Sequence, residues 1–247
     1  LRHSGKELDE SIQQYINQEY YREEELPDDY DVIFITNPTI LHYDTILNMV
    51  PKTKHMFIEK PVFGEKGRSI EALNLRKDGV YYVACPMRHG DSMKYVKRMI
   101  EDGEKIISAR AITSSYLPFW RKGIDYRENY SARKELGGGV ALDLIHEWDY
   151  LTYLFGFPRT IQKMSGKYSD LEINTEDIAV YIADYGDKLV EVHLDYCGIN
   201  AVRLLELIGI QKRVVVDLIA EEITIYTAEE KKVLKMEQEV DYINEME

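Results

Sequence analysis

Cysteine is scarce: Cys85 and Cys197 are the only two in 247 residues and lie far apart. They are too few for a disulfide framework, so a reducing, cytoplasmic setting is the expectation. No apolar run approaches the roughly 20 residues of a membrane-spanning helix. The opening Leu1-Arg2-His3-Ser4 has no apolar signal-peptide region. Positive charge is in deficit as well. The 31 Lys and Arg face 44 Asp and Glu, a net charge of −13, which argues against nucleic acid or an anionic membrane as main partner. Internal repeats and low-complexity segments are missing too. What remains is an ordinary globular composition, 45% hydrophobic and 30% charged, at a length that predicts one or two domains.

Asp31-Val32-Ile33-Phe34-Ile35-Thr36 is a near-continuous run of β-formers, as in a strand buried on both faces of a parallel sheet. Asn37-Pro38-Thr39 ends it and opens a helix running to about Val50. His55 to Ile58 and Val80 to Cys85 read as two more strands, with a polar helix from about Glu65 to Asp78 between them. A short helix over Leu8 to Gln18 precedes them all. Strand, helix, strand, helix, strand is the rhythm of a doubly wound sheet. Ligands bind such sheets outside the carboxyl ends of the strands. Thr36-Asn37-Pro38, Glu59-Lys60-Pro61 and Pro86-Met87-Arg88 all sit at such ends, so their polar groups converge on one rim.

After Arg88 the texture changes. Asp91 to Glu101 reads as a helix, Ile106 to Tyr116 as an alternating strand, and Leu117 to Leu136 as a long aromatic and basic loop. From about Thr160 come strands separated by turns: 161–167, 178–184, 189–196, 202–208, 213–218 and 223–226. The turn Tyr185-Gly186-Asp187-Lys188 marks a hairpin. The fold class is therefore α/β, a parallel sheet over residues 1–89 followed by an α+β domain over 90–247 with a mostly antiparallel open sheet. Such a sheet face commonly seeks a partner, so a homodimer or homotetramer is expected.

Between the loop and the later strands lies Gly137-Gly138-Gly139, followed by a helix. On a wheel of about 100° per residue, Asp143, His146, Glu147 and Tyr150 share one stripe, and Ala141, Leu144, Ile145, Trp148, Leu151 and Phe155 fill the other side. A stripe of carboxylate, imidazole and phenol suits a cleft, and the glycines allow close backbone approach.

Together these segments resemble the Gfo/Idh/MocA oxidoreductases, from Asp31 to about Tyr226. The carriers are Ile35-Thr36-Asn37-Pro38 with His42, Glu59-Lys60-Pro61, Tyr126 to Ala132, the three glycines with Asp143 and His146, and Thr175 to Ala179. The resemblance implies a Rossmann domain for NAD or NADP, partial in this chain, and a second domain that carries substrate and often makes the oligomer. It makes Lys60, Asp143 and His146 the catalytic trio. Oxidising a CH–OH group requires a base at the hydroxyl, so His146 is assigned proton transfer, Lys60 polarises the substrate oxygen, and Asp143 positions substrate or imidazole. The Lys60 and His146 roles are exchangeable. Thr36, Asn37, Pro38, His42, Glu59, Lys60 and Arg2 are assigned to the cofactor, Arg2 leaning toward the 2′-phosphate of NADP. Arg88, Trp120, Arg121, Tyr126 and Arg127 are candidate contacts to a sugar-like substrate, with an ordinary solvated rim or packed loop as the alternative.

The pattern is departed from in three places. Asp143 and His146 are three residues apart, against the family's four. No Gly-x-Gly-x-x-Gly precedes the first strand, so the cofactor groove is expected to be half encoded, and the chain stops short of the family's closing helices. The expected activity is NAD(P)-dependent oxidation of a sugar or sugar-derived alcohol. An NAD-dependent glycosidase and a non-catalytic sugar- or nucleotide-binding regulator on the same scaffold are the alternatives. A metal held by Asp143 and His146 with His193 and Asp195 is disfavoured, since His193 and Asp195 alternate along a strand as ordinary residues do.

Overall fold

Aromatic and β-branched residues favour extended backbone, and β1 (Tyr30–Ile35), β2 (Thr53–Ile58) and β3 (Tyr81–Val83) form where they cluster. The structure, a computed structural model, describes residues 1, 9–65, 67–236 and 241–246. The three strands run parallel in the order β1-β2-β3. Helix α2 (His42–Met49) returns the chain between the first two and buries Ile46 and Met49 against Ile35, Met56 and Ile58.

The other face differs from expectation. Val32 and Phe34 are 44% and 50% exposed, and Phe34, Phe57 and Tyr82 form an aromatic row across the strands with ring centroids 5.1 and 5.4 Å apart. Val32 and Phe34 stay exposed there, so the apolar run of β1 is fully buried on one side only.

Two expected helices shrink. Between 65 and 78 the described residues hold one 3-10 turn, Glu71–Leu73, of which only Leu73 is buried, and Asn74 at φ 50° turns the chain away. Near the start, α1 (Glu10–Gln13) buries nothing. A short helix is marginal without an apolar face to dock; over 9–18 no described residue is buried, and over 67–78 Leu73 alone is.

Helix α3 (Asp91–Glu101) leads into β4 (Ile106–Ser114) of a larger sheet. Its other strands are β5 (Thr160–Gly166), β6 (Ile178–Asp184), β7 (Leu189–Asp195), β8 (Val202–Gly209), β9 (Arg213–Asp217), β10 (Glu222–Tyr226) and β11 (Lys231–Lys235). The order is β11-β10-β9-β8-β4-β7-β6-β5, antiparallel throughout except for β4 beside β7. The last strand escapes the sequence pattern because three of its five residues are Lys. Lysine is well placed there, since β11 is an edge that charge protects from further pairing. One face of the sheet packs against α3 and α5 (His146–Phe155), with Val96, Leu151 and Leu154 meeting Ala109, Ala111, Val192 and Leu205 in one core. Terminal α6 (Asp241–Met246) reaches the end of β3, where the Glu245 carboxylate accepts hydrogen bonds from the Tyr82 hydroxyl and the Cys85 amide.

The single helix expected after the glycines is two. Helix α4 (Val140–Asp143) ends at Leu144, whose φ of −97° and ψ of 32° break the spiral before α5 begins. A Cβ on Gly138 would lie 2.1 Å from the Tyr130 carbonyl oxygen, and Gly139 adopts φ +121°. Both positions therefore require glycine, and together they press α4 against the 130–132 turn.

Candidate active site

The ends of β1 and β2 and the junction of α4 and α5 face one another. Between them lies a cleft of about 500 Å³ lined by Thr36, Asn37, Pro38, Thr39, His42, Glu59, Lys60, Tyr130 and His146. A second cleft, of about 380 Å³, adjoins it. Lys60, Tyr130 and His146 line this one too, with Thr113, Trp120, Asp143 and Arg203 among the rest. Three side chains therefore stand where two clefts meet.

Lys60 extends from the end of β2 and its ammonium donates to the backbone carbonyl of Asp143 over 2.9 Å. Burial holds its pKa below the ordinary lysine range, against the opposing pull of the Asp143 and Glu59 carboxylates. His146 begins α5. Burial first, then the Lys60 and Arg203 charges, push its pKa down to about 3, so its imidazole is neutral near physiological pH.

A stability consequence follows from that depressed value. With a folded pKa of about 3 against 6.5 for the free imidazole, the native state binds fewer protons than the unfolded state between those limits. The stability tied to His146 is complete above about pH 6.5 and is lost as pH falls toward about 3. We expect His146→Gln to flatten the acid side of the stability profile by up to about 1.4 kcal/mol per pH unit. Urea unfolding between about pH 4 and 7 checks it; an unchanged slope would sink the assignment.

Asp143 is 6% exposed and its carboxylate accepts from the Tyr196 hydroxyl at 2.5 Å. Burial and the adjoining Asp143 charge raise the Tyr196 hydroxyl far above its ordinary value, and the same two causes bring Tyr130 up to about 12. The carboxylate is thus set back behind phenols, while its main-chain oxygen holds Lys60.

Glu147 and Tyr150, expected on the cleft edge, are fully buried beneath it at 0% exposure. Glu147 accepts from Thr113 Oγ1 and from Arg203 Nε, each at 2.7 Å. Wheel geometry gives the stripe; the partner that makes burial of a carboxylate tolerable comes from β8. Tyr130, Thr113 and Arg203 went unmarked in the sequence, the last two because only the Thr113–Arg203 register of β4 and β8 brings them here. Tyr130 lies within the Tyr126 to Ala132 run that carries the resemblance but is not singled out there as a site residue.

The rim residues divide. Asn37 donates through Nδ2 to Thr45 at 2.8 Å and leaves Oδ1 buried without a partner. His42 is 1% exposed, with its ring nitrogens 2.8 Å from the Pro61 carbonyl oxygen and 2.7 Å from that of Asn37, so its polar atoms join two loops. Trp120 lines the second cleft, its indole donating to Ser115 and its ring meeting Tyr196 edge-on. Arg121 lies 5.4 Å over the Tyr130 ring.

Three candidates lie elsewhere. Arg88 pairs with Asp149 at 2.8 and 3.0 Å, Tyr126 accepts from the Glu172 amide, and Arg127 pairs with Asp125 and Glu172; none lines either cleft. Each is a polar residue near the rim whose charge or hydroxyl is spent on a neighbour. Arg2 lies outside the described residues. His193 and Asp195 pair at 3.0 Å in a different hollow with Arg110 and Glu191, apart from Asp143 and His146. Among the described residues no group of three or more His, Cys, Asp or Glu is placed to hold a metal.

Comparison with known proteins gives this geometry a setting. Residues 3–84 match the model of an oxidoreductase family with an NAD-binding Rossmann fold. The uncharacterized oxidoreductase YrbE of Bacillus subtilis is 32% identical over 131 residues, 52% of this chain and 36% of that protein. The 2,7-anhydro-N-acetylneuraminate hydratase of Escherichia coli is 24% identical over 141 residues, 55% of this chain and 37% of that one. The matched stretches thus span little more than a third of these relatives. Levoglucosan dehydrogenase, solved with NADH and levoglucosan, superposes with a TM-score of 0.71 at 19% identity, covering 83% of this chain and 61% of its own.

Proposed function

We propose that this chain, whose residues 3–84 match the model of an oxidoreductase family with an NAD-binding Rossmann fold, serves an NAD(P)-dependent dehydrogenase of a sugar or sugar-derived alcohol. The observation that carries this reading is the meeting of two clefts at Lys60, Tyr130 and His146. A dehydrogenase needs cofactor and alcohol in adjoining spaces, because the hydride passes directly between them, with the proton-handling groups within reach of the hydroxyl.

The first cleft fits the nucleotide. It opens at strand ends, and the buried Asn37 Oδ1 is an acceptor awaiting a donor. Thr36, Asn37, Pro38, Glu59 and Lys60 are the residues of this chain that would hold NAD(P), which when bound supplies the hydride acceptor. The second cleft holds the alcohol, with Trp120 and Tyr130 offering aromatic faces to a sugar.

Chemistry at the junction divides between two groups. An imidazole with a pKa of about 3 is a weak base near neutrality, whereas a lysine brought down from 10.5 by burial moves toward the useful range. Lys60 Nζ in its neutral form takes the hydroxyl proton as the C–H bond breaks, and the neutral His146 ring accepts a hydrogen bond that orients the hydroxyl. Asp143 fixes Lys60 through its carbonyl oxygen. This exchanges the roles first assigned to lysine and histidine.

The test is net reduction of NAD+ or NADP+ by the full-length protein across a panel of hexoses, inositols and hexuronates. Stoichiometric formation of reduced cofactor supports the reading. Sugar cleavage without it would point to transient oxidation by a glycosidase and overturn the proposal.

A further inference from the structure

The buried ion pair under the second cleft is built in an unusual way. An arginine whose whole task is to neutralise a carboxylate commonly meets it with two parallel N–H donors. Arg203 gives Glu147 only its Nε, at 2.7 Å. Nη2 is buried with no partner, and so is Glu147 Oε2. Among the described residues neither terminal nitrogen of Arg203 has a side-chain or backbone acceptor, yet the residue lines the cleft that also holds Lys60 and His146.

The charges are arranged in depth. Two carboxylates close to the second cleft are withdrawn, Glu147 at 0% and Asp143 at 6% exposure, the latter engaged by Tyr196, and Glu59 lines the adjoining cleft instead. Both cations, Lys60 and Arg203, line the cleft wall. A ligand there meets the positive ends of two dipoles rather than a neutral surface. The depressed His146 value carries the same signature, since the Lys60 and Arg203 charges are its electrostatic causes. An unfilled donor fork in a partly buried, positive site costs free energy that a ligand anion would recover.

We propose that Arg203 anchors a carboxylate of the substrate, so that the sugar taken by this site is an acid of the uronate or aldonate type rather than a neutral one. The inference rests on the dehydrogenase reading for the identity of the cleft as a substrate site. A planar carboxylate is the anion whose shape suits a guanidinium edge, and the Arg203 side chain is 26% exposed. Glu147 holds Arg203 from beneath through Nε, and Thr113 holds Glu147. Lys60 and His146 are then left to the hydroxyl that reacts.

The experiment is equilibrium binding to the NADH-loaded full-length protein, with D-glucuronate against D-glucose and D-galacturonate against D-galactose. A charge-assisted pair contributes about 1.5–3 kcal/mol, so each acid is expected to bind at least about tenfold more tightly than its neutral counterpart. The double variant Arg203→Gln/Glu147→Gln, which strands no buried charge, should bring that ratio toward one. A ratio near one in the wild-type protein, a retained preference in the double variant, absence of uronate binding, or a preference for D-glucose 6-phosphate over D-glucuronate each overturns the carboxylate anchor. Uronate binding that depends on Arg203 without any cofactor reduction keeps the anchor and removes the dehydrogenase. Turnover of neutral hexoses that is indifferent to Arg203 does the reverse.

Discussion

Lys60→Met in the full-length protein is expected to lower kcat by a factor of about 100 to 10,000, the usual range for loss of a positioned acid–base group. Methionine keeps the lysine side chain up to its last atom and suits the burial that already depresses the lysine, so the fold should survive the change. What disappears is the one nitrogen at the meeting of the two clefts that can both take a proton and reach the Asp143 carbonyl oxygen. The pH profile separates this role from simple substrate binding. In the wild-type protein kcat/KM should rise through a limb that belongs to Lys60, below the ordinary lysine value because burial lowers it. That limb should vanish in the variant. A variant with turnover within about tenfold of wild type, its limb intact, would show that Lys60 does not carry the proton.

Arg203→Met is expected to destabilise the fold by about 3 kcal/mol, at the lower end of the range for breaking a buried ion pair. The cost falls on what remains rather than on what is removed. Glu147 is fully buried, and among the described residues Thr113 is the donor left to its carboxylate without Arg203. Glu147→Gln should cost much less, because the stranded partner is then an arginine side chain 26% exposed, able to find water. Placing Glu147→Gln and Arg203→Met together should restore a large part of the loss, the mark of a coupled pair in a double-mutant cycle. Urea denaturation of the three variants measures it. A loss under about 1 kcal/mol for the single arginine change, or a double variant no better than that single one, would mean that Glu147 is not the charge being neutralised.

Sequence and structure part company according to the range of the interactions involved. The parallel strands are legible from runs such as Val32 to Ile35, because β-branched residues act locally. Glycine-rich 137–139 is legible for the same reason, since Gly138 and Gly139 answer to immediate backbone demands. The helix over 65–78 fails because Ile70, at 58% exposure, finds nothing to pack against, and a wheel cannot show what lies opposite. The 143–150 stripe is the clearest instance. Periodicity groups Asp143, His146, Glu147 and Tyr150, but only the β4–β8 register supplies the arginine that lets Glu147 turn inward. Tyr196, which holds the Asp143 carboxylate, comes from still further along the chain, just beyond β7. The candidate residues of the α4–α5 stripe are visible in the sequence, and the residues from other elements that bond to them are not.

His42 has a mechanical consequence. Its ring bridges the carbonyl oxygens of Asn37 and Pro61, which belong to the two loops that follow β1 and β2. A buried ring wedged between the two loops in this way limits the gape of the first cleft. The ordering entropy of both jaws is therefore already spent when a ligand arrives, and less of the binding free energy is consumed in closing them. Lys60, immediately before Pro61, is carried on one of these jaws, so its reach toward the second cleft is set by a joint on the far side of the first.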